Sequence, residues 1–73
     1  MNEIQILAKQ DDLSDFSDAL KALKSGKAIK RKWWVNKKII FLNFIFVEET
    51  LGTKIEYEFT TNEILATDWV IFD

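Results

Sequence analysis

The sequence predicts an α+β fold: one main amphipathic helix packed on a small, mostly antiparallel β-sheet, with a short helical turn before the last strand. Three observations lead there. Apolar residues fall at helical spacing in one place, Leu13, Phe16, Leu20 and Leu23, with Ala19 joining the stripe. Downstream, apolar residues run or alternate over strand-length stretches separated by polar turns. There is no proline, repeat or low-complexity tract to mark a linker, and 73 residues suit one small domain spanning 1–73.

Taken in order, Ile4 to Ala8 is a short apolar run that fits an edge strand or an arm, within an N-terminal extension of residues 1–13. The helix follows. Asp12 or Ser14 can cap it, Asp15 and Asp18 suit its positive end, and Lys21 and Lys24 suit its negative end. Gly26 is placed to close it in the left-handed conformation. Ala28 to Arg31 predicts a short strand with Ala28 and Lys30 on one side and Ile29 and Arg31 on the other. The adjacent Trp33 and Trp34 must point opposite ways on an extended backbone, so one can enter the core while the other faces outward. Val35 to Lys37 predicts a turn.

Lys38 to Val47 predicts the strongest strand, apolar on both faces. The helix can cover one face, so a second copy of the chain is expected on the other. Asn43 is its one polar interruption, either satisfying a backbone group or hydrogen-bonding a ligand. Glu48 to Thr53 predicts a hairpin loop around Gly52, and Lys54 to Thr60 an alternating, half-buried strand. Thr60 and Glu63 have the spacing of a capping box that starts one helical turn. Asp68 to Phe72 predicts the last strand, with Trp69 assigned to the core.

Charge is sharply divided. From Lys24 to Lys38 there are seven positive charges and no negative one, inside a chain of net charge -2. Cations beside flat aromatic rings suit a phosphorylated, base-containing ligand; equally, the tryptophans can be core and the lysines solvated. Arg31, the only arginine, is the leading candidate for phosphate because of its fork geometry, and an ion pair with Glu56 or Glu58 is its structural alternative. Lys30, Lys32 and Lys38 are expected to be solvated. With no Cys and no His, disulfides, nitrogen- or sulfur-ligated zinc, and Cys- or His-based catalysis are excluded. No cofactor, metal or enzymatic activity is expected. The longest apolar run is too short for a membrane helix, and no basic start precedes an apolar stretch, so a soluble intracellular protein is expected.

Three segments together resemble a known family. They are Phe16 to Gly26 (FSDALKALKSG) followed by Lys27-Ala28-Ile29, Arg31 to Trp34 (R-x-x-W) followed by a polar turn with Lys37, and Thr60 to Trp69 (TTNEILATDW). In this order and spacing, over about residues 14 to 72, they resemble the Thoeris anti-defence 2 family of phage and prophage domains. The family's Trp-Asn-Gly-Lys turn corresponds here to Trp34-Val35-Asn36-Lys37. A central insertion is reduced to Glu48 to Thr53, and family tryptophan and serine positions fall at Tyr57 and Thr60. The resemblance implies a homo-oligomeric sponge, dimer or tetramer, in the cytoplasm of an infected bacterial cell. It would bind a cyclic ADP-ribose isomer or a cyclic oligonucleotide and keep it from its effector without cleaving it. On that resemblance, Arg31 and Lys37 would meet phosphates, and Trp34, Phe41 or Tyr57 would stack on a base or line its pocket. Asn36, Asn43 and Thr60 would hydrogen-bond ribose or base edges. Two other functions compete: a direct protein inhibitor of a defence effector, anti-CRISPR-like, working through Glu48, Glu49, Glu56 and Glu58, and a nucleic-acid-binding module using the basic band. The overall acidity counts against the latter.

Overall fold

The computed structural model describes residues 13–73. The expected strand at Ile4 to Ala8 lies outside the described residues. Helix α1 spans Phe16–Lys24, followed by β1 (Ala28–Arg31), β2 (Lys37–Leu42), β3 (Ile45–Thr50) and β4 (Thr53–Glu56). A short helix, α2 (Thr61–Ile64), precedes β5 (Trp69–Phe72). The five strands form one antiparallel sheet in the order β4-β3-β2-β1-β5. This is the α+β architecture expected from the sequence.

Helix α1 begins where Asp15, not Asp12 or Ser14, accepts the Asp18 backbone N–H at 2.9 Å. Ser14 instead exchanges two backbone hydrogen bonds with Trp69, which places it beside β5. The helix ends as expected at Gly26, φ 97°. There the Gly26 N–H donates to Leu23 and the Lys27 N–H to Ala22, the paired bonds of a Schellman closure.

The stretch predicted as one strand from Lys38 to Val47 is two strands. It breaks at Asn43 and Phe44, both at positive φ (54° and 67°), and β2 and β3 pair as a hairpin with Leu42 opposite Ile45. A continuous apolar run carries no periodicity that marks a turn, and the glycine that usually does so is absent here. The next turn is also tighter than expected. Leu51 and Gly52 alone join β3 to β4, and β4 ends at Glu56, so Tyr57 to Thr60 lie beyond the strand.

Alternation gives the sheet two unlike faces. One carries Ile29, Ile39 and Trp69, fully buried with Ala19, Ala22 and Leu23 of α1 and with Trp34. Phe16, Phe46, Tyr57 and Phe59 pack around them in edge-on contacts at centroid distances near 5–6 Å. The other face carries Lys30, Lys38, Ile40, Glu49, Val70 and Phe72, in register across β1, β2, β3 and β5. Among the described residues neither helix reaches this second, open face, although Ala28 and Val47 on it are buried.

Candidate functional site

The end of the sheet nearest the β1–β2 loop gathers most of the residues singled out in the sequence. Arg31, the last residue of β1, pairs with Trp69 in register, and this aims its guanidinium at Asp68 one residue earlier. Nε donates to Oδ1 and Nη2 donates to Oδ2 at 3.2 Å. The ion pair is therefore with Asp68, not with Glu56 or Glu58. Asp68 occupies the fork that a phosphate would use. The guanidinium carbon also sits 5.6 and 5.7 Å from the ring centres of Trp33 and Trp69.

The two tryptophans divide as an adjacent pair must. Trp34 is the core member, 4% exposed and edge-on to Trp69 at 5.7 Å. Trp33 is 66% exposed. Lys37 lies over the outer side of Trp34, its Nζ 4.3 Å from that ring centre and 5.7 Å from the ring of Tyr57. Burial and the Glu63 carboxylate, which accepts from the Tyr57 hydroxyl, push the phenol well above its ordinary value.

Glu63 is the one buried charged side chain among the described residues, and it is fully engaged. Its carboxylate also accepts the Thr60 backbone N–H at 2.9 Å, while its own N–H donates to the Thr60 hydroxyl at 3.2 Å. This is the expected capping box. The Glu63 carbonyl accepts the Trp69 indole N–H at 3.0 Å, tying α2 to the core.

Of the eight predicted site residues, the structure brings four together: Arg31, Trp34, Lys37 and Tyr57. Thr60 is adjacent through Glu63 and serves as a helix cap. Phe41 sits further along the same face, against Phe46 and Phe44. Asn43 is at the far hairpin tip, away from the group. Asn36, in the left-handed region at φ 61°, turns the chain into β2 and faces another feature.

That feature is a cavity of about 540 Å3 on the open face. Asn36 and Lys37 line it together with Lys30, Lys38, Glu49, Leu51, Gly52, Val70 and Phe72. Three of its walls are lysines from the basic band. Lys30 donates to the Trp34 carbonyl at 2.8 Å, and Lys38 lies 3.9 Å from Glu49 and over the ring of Phe72. Sequence reasoning left Lys30 and Lys38 as solvated charges. The signal that could have found them was alternation: Lys30 opposes Ile29 and Arg31 on β1, and Lys38 opposes Ile39, so both must share the face away from the core. Among the described residues, no cluster of carboxylates could hold a metal ion, and no helix is long and apolar enough to cross a membrane.

The family model of the Thoeris anti-defense 2-like domain matches residues 14–72. The chain belongs to this family. The match runs from the Ser14 bridge to the last residue of β5 and so covers the helix, the whole sheet and the cavity. No curated protein matches the chain. Membership gives the Thoeris anti-defense 2-like domain an anti-defence role, and it gives physical sense to the motifs. The R-x-x-W and D-W pairs, here Arg31 with Trp34 and Asp68 with Trp69, form one structural clamp between β1 and β5.

Proposed function

We propose that this anti-defense domain sequesters a nucleotide second messenger of bacterial immunity, in the cytoplasm of the infected cell and without cleaving it. The observation that carries the reading is the open-face cavity, where Lys30 and Lys38 lie beside Asn36 and the ring of Phe72, while Lys37 lines its edge with its ammonium over Trp34. Phosphates would meet the lysines, a base would lie on Phe72 and Val70, and Asn36 would hydrogen-bond a ribose or base edge. Arg31, Trp34 and Tyr57 would act from behind, by fixing the loop that presents Asn36 and Lys37. A ligand bound on a sheet face is enclosed only when something covers that face. A second copy would do so, which makes the functional unit a homo-oligomer. The ligand class is a cyclic ADP-ribose isomer or a cyclic oligonucleotide.

The competing reading, a protein inhibitor presenting an acidic face of Glu48, Glu49, Glu56 and Glu58, has less support, because these residues do not all share one face. Glu48 and Glu49 are neighbours on β3 and point to opposite faces. Glu49 is flanked by Lys38 and Lys54 at 3.9 and 3.8 Å.

A thermal-shift screen against cyclic ADP-ribose isomers and cyclic di- and trinucleotides tests the proposal. Saturating binding at a thousandfold excess over Kd adds about 4 kcal/mol, a large shift for a domain of this size. The expected result is a shift with one ligand class and recovery of that ligand intact after heat release. No shift across the panel rejects messenger binding, and recovery of a cleaved product rejects sequestration.

A further inference from the structure

The open face is laid out in rows that cross the sheet. Register sets Phe72, Ala28, Ile40 and Val47 side by side in one row, on β5, β1, β2 and β3. The next row, two residues along each strand, is Val70, Lys30, Lys38 and Glu49, all of which line the cavity. Leu42 and Ile45 lie on the other side of the apolar row. Burial separates these positions. Val47 and Ala28 are each 5% exposed, whereas Ile45, on the same strand and the same face as Val47, is 42% exposed. Neither Val47 nor Ala28 belongs to the core cluster under α1. Neighbouring strands flank a side chain but leave its outer end open, so a buried valine on this face calls for a cover across the row. Among the described residues neither helix is on this side to supply it.

We infer that the cover is the chain's own N-terminal segment, Ile4 to Ala8, docked along the row of Phe72, Ala28, Ile40 and Val47. Three observations select this occupant. The first is where the described chain begins. Ser14 pairs with Trp69 through two backbone hydrogen bonds, so Leu13 stands beside Val70 at the margin of the open face. The segment thus starts from the edge of the row it would cover. The second is reach. The row spans three strand spacings, about 14 Å. The nine residues from Ile4 to Asp12 can extend to about 30 Å. The third is chemistry. Ile4, Ile6, Leu7 and Ala8 offer apolar side chains to an apolar row. Glu3, Asp11 and Asp12 outnumber Lys9, beside a face whose next row holds Lys30 and Lys38. Residues 1–13 precede the family match, so this cover is an addition to the matched domain. It closes the apolar row, leaves the lysine row as the open part of the face, and forms one wall of the cavity. The docking does not depend on the messenger reading; where that reading holds, the segment would border the bound ligand.

The test places one nitroxide on the full chain. There is no cysteine, so Gln5→Cys carries the label alone. The label should broaden the amide signals of Ala28, Ile40 and Val47 more strongly than those of Ala19 and Leu23 on the opposite side. In a mixture of labelled chains without isotope and isotope-enriched chains without label, the broadening should largely disappear, because the contact is made within one chain. No broadening on the row, or broadening as strong in the mixture, overturns the inference. The second result assigns the cover to another copy. Ile4→Ser combined with Leu7→Ser should lower the melting temperature by about 5 °C or more, while Gln5→Ser combined with Gln10→Ser should leave it unchanged. Equal melting of the two double variants also overturns the inference. Broadening on the row in a chain that binds no nucleotide keeps the docking and rejects the sponge. Nucleotide binding without that broadening does the reverse.

Discussion

The Arg31 guanidinium grips both carboxylate oxygens of Asp68 while its face rests 5.7 Å from the ring centre of Trp69. One side chain thereby joins β1, the residue before β5 and the centre of the core. Arg31→Ala strands a partly buried carboxylate and is expected to destabilise the fold by about 2–3 kcal/mol. Arg31→Lys should recover little of this, because an ammonium cannot span both oxygens. Urea unfolding would measure it. A loss below about 0.5 kcal/mol, the range of ordinary surface changes, would show that the pair is not structural.

Trp33 and Trp34 should respond oppositely to truncation. Trp34→Ala removes a buried ring that touches Trp69 and Tyr57 and should cost about 3–5 kcal/mol. Trp33→Ala removes an exposed ring and should cost less than about 1 kcal/mol. Chemical denaturation of the two variants side by side decides it. Equal losses would place Trp33 in the core.

Tyr57 is the only tyrosine, so tyrosinate absorbance in an alkaline titration follows a single group. Its folded value is raised above the ordinary value of 10.0 by burial and the Glu63 carboxylate. A raised value means the associated stability is complete below the unfolded pKa near 10 and falls as pH rises from there toward the folded value. The phenol should therefore stay protonated in the native protein past pH 10 and ionise together with unfolding. Reversible ionisation near pH 10 with the fold intact would show that the Tyr57–Glu63 bond is absent.

Lys38→Gln should leave the fold nearly unchanged, since its ion pair with Glu49 is long and exposed. On the proposed site it should weaken nucleotide binding by about tenfold or more, the size of one charge-assisted hydrogen bond. Binding calorimetry at two salt concentrations would show both the loss and a shallower salt dependence. Unchanged affinity would move the ligand away from the open face.

Local pattern made much of this fold legible. The α1 stripe, the Gly26 closure, the Thr60–Glu63 box and Trp69 in the core each rest on residues within a turn or two of one another. The β2–β3 hairpin did not show itself, because Asn43-Phe44 lacks the glycine that signals such a turn, and the run on either side is equally apolar. The candidate site was half visible. The basic band drew attention to Asn36 and Lys37, which line the cavity, but Arg31 looked available for a phosphate because its partner, Asp68, is distant in sequence. Lys30 and Lys38 gain meaning only once the sheet order sets β1 between β2 and β5. These are non-local facts, and residue spacing along one strand does not contain them.

The strand order β4-β3-β2-β1-β5 also dictates when the core can be completed. The four strands from β1 to β4 form a meander of near neighbours that can pair as soon as they leave the ribosome. Their inner edge, β1, then waits with its hydrogen-bonding groups open until β5 arrives from across the chain, and only then does Trp69 fill the centre. Closing so long a loop is slow relative to hairpin formation. The last strand made is thus the one that commits the domain to fold, and a nascent chain stopped short of Trp69 would carry an unpaired edge and a vacant centre.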